Sequence, residues 1–369
     1  MRTIAIVSLS LFAACGDNLG PSVGADAEPG TATPKAIVVA GDFQATGVLS
    51  VVDVTEQSVR VAAVAGVVGP DPVLRHVGDE YVIINRLGGD NVTILDRNLQ
   101  LVEQLGTGAS SNPQDAVVVG GKVFVAALAS PDLLVMDRGS NRPPRRVSLA
   151  TLDSVDGFPD CVAVTAVENK VFVACGQLDR DFKPRGPGQI AVVDAETERV
   201  LSTFSLASAN PIGLWTRSPA ASVYGGDLLI ATVPDYANLA LGCVERVSTD
   251  NSPASKGCAI TNQALGAYAN HLEVTDEALW VAATGFDASF NPFGSLRHVS
   301  LDTGMLTATT ASAAAQVVVD VAACSNGQVV VSDRAPVNGI RIYGATGEVT
   351  TEPLPIGMRP GTGNNIVCD

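Results

Sequence analysis

The sequence predicts an all-β protein in which a four-stranded unit repeats around a ring, and three observations support this. After Lys35 the chain has almost no helical periodicity, and short β-branched runs alternate with Gly, Asp, Asn and Pro. An apolar strand ending in Asp recurs at Asp53, Asp96, Asp137 and Asp194. Two further strands precede several of these copies. A period of about 42 residues with four strands per unit is typical of a β-propeller blade.

The N-terminal segment predicts export and lipid anchoring. An apolar stretch of about eleven residues follows Arg2, which is too short to span a bilayer and fits a signal peptide over residues 1–14. The run Leu11–Cys15 resembles a bacterial lipobox, so we expect Cys15 to carry a lipid. The small, polar residues that follow predict a flexible tether over 15–35. The alternative is an ordinary secretory signal cleaved nearby, with Cys15 incidental.

Residues 36–369 are predicted to form the propeller. Two later strands, His298–Asp302 and Ile340–Gly344, continue the repeat, and a degenerate copy surrounds Cys243–Val247. The first unit begins at Ala36 with a segment that matches a second strand, so it lacks its innermost strand. The chain ends with an unpartnered Pro-initiated strand before Cys368. We therefore predict seven blades, with the C-terminal strand completing the first blade, which removes the exposed sheet edges. The alternative is six blades with a frayed C-terminus.

Six cysteines follow Cys15, and an even number in an exported chain suggests disulfide bonds. The repeat alignment favours three pairs. Cys161 and Cys175 lie across one hairpin, Cys243 and Cys258 flank a turn between outer strands, and Cys324 and Cys368 end neighbouring inner strands. The alternative is six free, buried thiols.

One repeat resembles a known family. The strand Lys170–Ala174 followed by Ile190–Val200 is similar to the YVTN-type, YncE-like propeller repeat of exported bacterial lipoproteins. The resemblance extends over roughly residues 36 to 369 in degenerate hydrophobic motifs. It implies a seven-bladed β-propeller and does not imply one activity, because such propellers serve many functions.

Charge excludes one class of partner. The chain has 23 basic and 38 acidic side chains and a formal net charge of −15. Because it lacks the Lys/Arg clusters that neutralise phosphates, we do not expect it to bind nucleic acid.

Polar residues recur near the starts of the predicted inner strands. If the blades align, they surround one mouth of the central channel and could hold a polar ligand, or Ca²⁺ or another divalent cation. The alternative is that these side chains only hydrogen-bond the turn backbone. The candidates are Arg75, His76, Asp115, Asp160, Asn270, His271, Asp320, Asn364 and Asn365.

Aromatic residues occupy long loops predicted on the same face. Exposed rings beside charged groups suit a protein, peptide or glycan partner, although the loops could instead pack on themselves. These aromatics are Phe182, Tyr236, Phe286, Phe290 and Phe293.

The sequence contains no recognisable catalytic motif, so we expect a scaffold that binds a ligand or a protein. We expect it to be lipid-anchored in the bacterial cell envelope, in the periplasm or at the cell surface. No cofactor follows with certainty from the sequence. The competing hypothesis is a metal-dependent, lactonase-like hydrolase with its site at the channel mouth. A third is a structural envelope protein with a vacant channel.

Overall fold

The computed structural model describes residues 34–369, except 287, 288, 290, 315, 316, 336, 346 and 362, and for 308–314 the backbone only. The predicted signal peptide, Cys15 and Phe290 therefore lie outside the described residues, as does the predicted tether before Pro34. Lys35, which the sequence assigned to the tether, already belongs to the first strand.

The described residues form seven antiparallel sheets of four strands each, which confirms the predicted seven-bladed propeller. We number the blades in chain order. Blade 1 contains β1 (Lys35–Gly41), β2 (Gly47–Asp53), β3 (Ser58–Val64) and the C-terminal β28 (Ile366–Cys368). Blade 2 contains β4 (Pro72–Val77), β5 (Glu80–Asn85), β6 (Asn91–Asp96) and β7 (Leu101–Gly106). Blade 3 contains β8 (Pro113–Val119), β9 (Lys122–Ala127), β10 (Asp132–Asp137) and β11 (Arg145–Ser148).

The other four blades follow the same order from the inner to the outer strand. Blade 4 contains β12 (Cys161–Val167), β13 (Lys170–Cys175), β14 (Gln189–Asp194) and β15 (Arg199–Ser205). Blade 5 contains β16 (Pro211–Arg217), β17 (Leu228–Thr232), β18 (Cys243–Val247) and β19 (Ser255–Thr261). Blade 6 contains β20 (Tyr268–Val274), β21 (Ala278–Phe286), β22 (Pro292–Ser300) and β23 (Leu306–Ala314). Blade 7 contains β24 (Val318–Ala323), β25 (Val329–Asp333), β26 (Gly339–Gly344) and β27 (Gly347–Glu348).

The apolar runs of the second and third strands form the core. Five consecutive residues of β9, Val123–Ala127, are buried, whereas β15 at the outer edge of its blade is mostly exposed. Each sheet is covered on both faces by its neighbours, so seven apolar clusters lie between the blades, one at each junction. This explains why these strands are continuously hydrophobic rather than alternating.

The ring closes as predicted. Strand β28 pairs antiparallel with β1, placing Ile366 opposite Val38, and every inner strand contacts the inner strands of both neighbouring blades. The disulfide Cys324–Cys368 links the inner strands of blades 7 and 1 at this closure. A native disulfide between segments 44 residues apart restricts the unfolded chain, so it stabilises the closed ring.

The other two predicted disulfides also form, Cys161–Cys175 within blade 4 and Cys243–Cys258 within blade 5. Helix is confined in the described chain to one α-helical turn, Asn262–Leu265, and one 3₁₀ turn, Ala150–Leu152. Over the same residues no helix is long and apolar enough to cross a bilayer.

Candidate functional site

The central channel holds two cavities that follow one another along the inner strands. The first, of about 580 Å³, is lined by residues at or near the starts of these strands and by the loops of the same end; we call it the mouth cavity. The second, of about 220 Å³, is lined by residues further along the inner strands and is called the deeper cavity. The mouth cavity has the size of a small-molecule site.

Aromatic side chains from blades 5 and 6 form one part of the mouth cavity. Tyr236 and Phe286 are about half exposed, and Tyr268 is buried beneath them with its ring 5.1 Å from that of Tyr236 and 6.3 Å from that of Phe286. Burial raises the pKa of Tyr268 to about 12, so its phenol is neutral at physiological pH. Its buried hydroxyl has no hydrogen-bond partner among the described residues. A ligand could therefore stack on the exposed faces of Tyr236 and Phe286.

Two arginines from blades 2 and 7 form another part of the mouth cavity. Arg86 and Arg334 both follow directly after the second strand of their blades. The backbone N–H of each donates to the carbonyl of the residue preceding its own inner strand, Asp71 for Arg86 and Val317 for Arg334, at 3.1 and 2.9 Å. The two positions are therefore structurally equivalent.

The floor of the mouth cavity is built from polar groups that are already hydrogen-bonded. Asn270 Nδ2 donates to Thr284 Oγ1 at 2.5 Å, and Thr284 donates to the carbonyl of Val318 at 2.9 Å. Gly213 contributes backbone with a φ of 73°, and a Cβ there would lie 2.8 Å from the carbonyl oxygen of Asn270. Only glycine fits this close approach of blades 5 and 6.

Beside the deeper cavity, Arg75 links three blades. Its guanidinium makes a two-pronged ion pair with Asp115 of blade 3 and donates to the carbonyl of Val164 in blade 4 at 3.0 Å. Asp115 is fully buried and accepts the backbone N–H of Val164 at 2.7 Å. Burial raises the pKa of Asp115, and the Arg75 charge opposes that rise. This contact chain joins blades 2, 3 and 4.

A second contact chain joins blades 6, 7 and 1. His271 Nδ1 lies 3.2 Å from Asp320 Oδ1 and 2.5 Å from Asn364 Oδ1. The fully buried Asp320 accepts the backbone N–H groups of Asn365 and Ile366, the latter at 2.9 Å, and so holds the closing strand. Burial raises the pKa of Asp320, with His271 and these N–H donors opposing the rise.

Glu273 lies on the same inner strand as His271 and lines the deeper cavity. Its carboxylate accepts one long hydrogen bond, from Ala323 N–H at 3.4 Å. Burial raises the pKa of Glu273 to about 7, the neighbouring His271 opposes the rise and Asp320 adds to it. Glu273 is therefore partly protonated near neutral pH.

The predicted polar collar does not form as a single ring. Asn270 and Asn364 line the mouth cavity, whereas Arg75, His76 and His271 line the deeper one. For Arg75 and His76 the predicted position was wrong, because β4 begins at Pro72 and places both residues in its later part. His76 stacks on Tyr81, with ring centroids 5.1 Å apart.

The remaining members of the collar bind protein backbone. Asp115, Asp320 and Asn365 are buried where the inner strands meet. Asp160 accepts the N–H of Leu178 at 2.7 Å, and burial raises the pKa of Asp160 to about 6. The alternative of bonds to turn backbone fits Asp160, whereas Asp115 and Asp320 contact the side chains of Arg75 and His271 and the inner strands of neighbouring blades. No group of three or more His, Cys, Asp or Glu side chains suited to a metal ion occurs within the part of the chain that the structure describes.

The aromatic residues predicted to share one loop face lie in different places. Tyr236 and Phe286 line the mouth cavity, and Phe182 is 71% exposed in its own loop away from that cavity. Phe293 was wrongly placed on the loop face: it lies in β22 opposite Gly285, and its ring occupies the space that a Cβ at Gly285 would need. Phe290 lies outside the described residues.

Sequence reasoning missed Arg86, Arg334, Tyr268 and Glu273. A signal was present for the arginines, because Asn85–Arg86 and Asp333–Arg334 stand at the same point of two repeats. Tyr268 and Glu273 carry no such signal, since their roles depend on which side chains the ring brings next to them.

Comparison with known proteins identifies the fold. No family model matches the chain, and no curated protein matches its sequence. Among solved structures, a candidate 6-phosphogluconolactonase from Bacteroides fragilis superposes with a TM-score of 0.64 at 13% identity, covering 93% of this chain and all of that one. Apo AztD from Citrobacter koseri gives a TM-score of 0.53 at 12% identity, over 91% of this chain and 97% of that one. Dihydro-haem d1 dehydrogenase NirN in complex with DHE gives 0.50 at 13% identity, over 86% and 72%. At these identities the likeness concerns the β-propeller fold alone.

Proposed function

We propose that this chain is a ligand-binding module of the bacterial cell envelope, with its site in the mouth cavity of the propeller. The observation that carries the proposal is the aromatic part of that cavity. Tyr236 and Phe286 present half-exposed rings beside the buried Tyr268, whose hydroxyl has no protein partner in the described chain. Exposed aromatic faces in a concave pocket of this size are surfaces on which a small ligand can stack.

The envelope location rests on separate arguments. Three disulfides favour an oxidising compartment. The apolar N-terminal stretch and the lipobox-like run before Cys15 favour export and lipid anchoring, as in YVTN-type lipoproteins, the family to which we propose the chain belongs. Mass spectrometry of the membrane-extracted protein tests this: a diacylglyceryl group on Cys15 supports anchoring, and a mature N-terminus without lipid contradicts it.

Binding at the mouth is tested with a neutral aromatic probe, 1-naphthamide, by ligand-observed NMR on the full chain. Tyr236→Ala and Phe286→Ala each remove a stacking surface and are expected to weaken binding by about fivefold or more. Phe182→Ala is the matched control, because this ring is more exposed than either and lies away from the mouth cavity. Equal binding by all four proteins, or none by the wild type, would contradict the proposal.

The alternative of a metal-dependent hydrolase receives less support from the described contacts. The carboxylates of Asp115 and Asp320 are fully buried and already accept N–H donors, so their lone pairs are directed at protein. The lactonase-like neighbour shares the fold and 13% of its sequence. We therefore propose binding rather than catalysis.

A further inference from the structure

The mouth cavity contains an arginine that makes no ion-pair contact among the described residues. The guanidinium of Arg334 makes no ion pair with any carboxylate among the described residues, and its Nε is buried without a hydrogen-bond partner. The Nε of the equivalent Arg86 is also buried without a partner, but its terminal nitrogens are paired: Nη2 donates to Asp71 Oδ1 at 2.6 Å and Nη1 to Gln114 Oε1 at 3.2 Å.

One difference in sequence between blades 2 and 7 explains why Arg86 has an ion-pair partner and Arg334 does not among the described residues. Asp71 immediately precedes the inner strand of blade 2, and the equivalent residue of blade 7 is Val317. The backbone contacts are the same in both blades, but blade 7 supplies an apolar side chain where blade 2 supplies the carboxylate. Arg334 is therefore held in place and left unpaired.

The surroundings of Arg334 increase its need for an anion. Its guanidinium carbon lies 5.8 Å from the ring centre of Phe43, a cation–π contact that offsets only part of the cost of burying the charge. Arg359 is close enough to donate from Nε to the carbonyl of Arg334 at 3.1 Å, and no carboxylate among the described residues pairs with it either. Burial and the Arg359 charge lower the pKa of Arg334, and the charge of the Asp71 carboxylate, which is paired with Arg86, opposes them. A partly buried guanidinium next to a second one is costly unless an anion binds there.

We infer, building on the proposed function, that the ligand is a small organic anion, a carboxylate or phosphate monoester on a planar or apolar body. Its anionic group pairs with Arg334 and its body lies against Tyr236, Tyr268 and Phe286. A planar guanidinium donates two parallel N–H groups to such an anion, which gives orientation as well as affinity. Because the whole chain carries a charge of −15, this anion selectivity comes from local groups and not from the overall field.

The test compares 1-naphthoate with its neutral analogue 1-naphthamide by ligand-observed NMR on the full-length protein. We expect the wild type to bind naphthoate at least about tenfold more tightly. Arg334→Gln should weaken naphthoate binding by about 10- to 100-fold and leave naphthamide binding unchanged. Val317→Asp, which supplies an internal carboxylate, should have the same effect and serves if the glutamine variant fails to fold. Arg146→Gln, on the outer strand of blade 3 and away from the mouth cavity, is the control and should change naphthoate affinity by less than about threefold.

The outcomes separate this inference from the proposed function. If both probes bind equally, or if Arg334→Gln and Val317→Asp leave naphthoate affinity intact, the anion inference is wrong and the mouth remains a ligand site. If neither probe binds the wild type, both the inference and the proposed function are overturned. A naphthoate-specific loss in the two variants supports both.

Discussion

Two sides of the ring have equivalent contacts between their inner strands, but the charged side chains that make these contacts differ. In blades 2 to 4, Arg75 binds Asp115, which accepts the N–H of Val164; in blades 6, 7 and 1, His271 contacts Asp320, which accepts the N–H of Ile366. The buried carboxylate of the first contact chain faces the guanidinium of Arg75, and that of the second faces the imidazole of His271. At the mouth, Arg86 has a carboxylate partner, whereas Arg334 makes no ion pair within the described chain.

The difference separates a structural side of the ring from a side that is incompletely satisfied. Around blades 2 and 3 every buried charge named above has an opposite charge, which suits a fixed scaffold. Around blades 6 and 7 the described residues include a guanidinium and a phenol that find no partner among them, and a carboxyl group that titrates near neutrality. Such groups cost stability, and they concentrate where proteins bind or react.

The largest expected effect is on stability and compares the two contact chains directly. Arg75→Met leaves the buried Asp115 without its cation and is expected to lower the free energy of unfolding by about 3 kcal/mol. His271→Ala should lower the free energy of unfolding by roughly 1 kcal/mol, because it removes one hydrogen-bonding nitrogen from Asp320, whereas Arg75 supplies two donors and a permanent charge to Asp115. Urea unfolding measures both. Arg146→Met, which removes an exposed ion pair with Asp132, is the control, with an expected change below about 0.5 kcal/mol. A loss at His271 equal to that at Arg75 would contradict the comparison.

The next largest expected effect is a pH dependence of the free energy of unfolding, caused by Glu273 in blade 6. The pKa of Glu273 is raised to about 7 in the folded protein from 4.5, so at intermediate pH the native state holds more protons than the unfolded chain. The free energy of unfolding should therefore fall as pH rises from about 4.5 to 7 and then level off. Glu273→Gln should remove up to about 3 kcal/mol of this fall, measured by urea unfolding at pH 5, 6 and 8. Asp160, with a pKa of about 6, contributes with the same sign at lower pH, so Asp160→Asn serves as the comparison. An unchanged profile in Glu273→Gln would exclude Glu273 as the source.

The sequence was sufficient for the fold because the fold depends on local, repeated features. The strands ending at Asp53, Asp96 and Asp194, the missing inner strand before Ala36 and the unpartnered C-terminal strand together predict seven blades and their closure. Cysteine positions within the repeat predict all three disulfides. Each of these inferences needs only the order of strands in a blade.

The site was predicted less well because it depends on contacts between blades. A shift of three or four residues along β4 moved Arg75 and His76 from the mouth to the deeper cavity. Asp115 and Asp320 resemble ligand residues in the sequence, and the bulged inner strands direct them to the neighbouring backbone instead. That Arg334 lacks a partner follows from Val317 replacing the carboxylate of Asp71, a comparison that requires the blades to be superposed.

The central claim is that the missing carboxylate in blade 7 makes Arg334 the anion-binding residue of the mouth. The most direct test moves that carboxylate: in the double variant Asp71→Val/Val317→Asp, blade 7 acquires the partner and blade 2 loses it. Naphthoate affinity is then measured by NMR after adding Arg86→Gln or Arg334→Gln. We predict that naphthoate affinity then depends on Arg86 instead of Arg334. Arg86→Gln should weaken naphthoate binding to the exchanged protein by about tenfold, and Arg334→Gln by less than about threefold. If affinity in the exchanged protein still depends on Arg334 and not on Arg86, the claim is wrong.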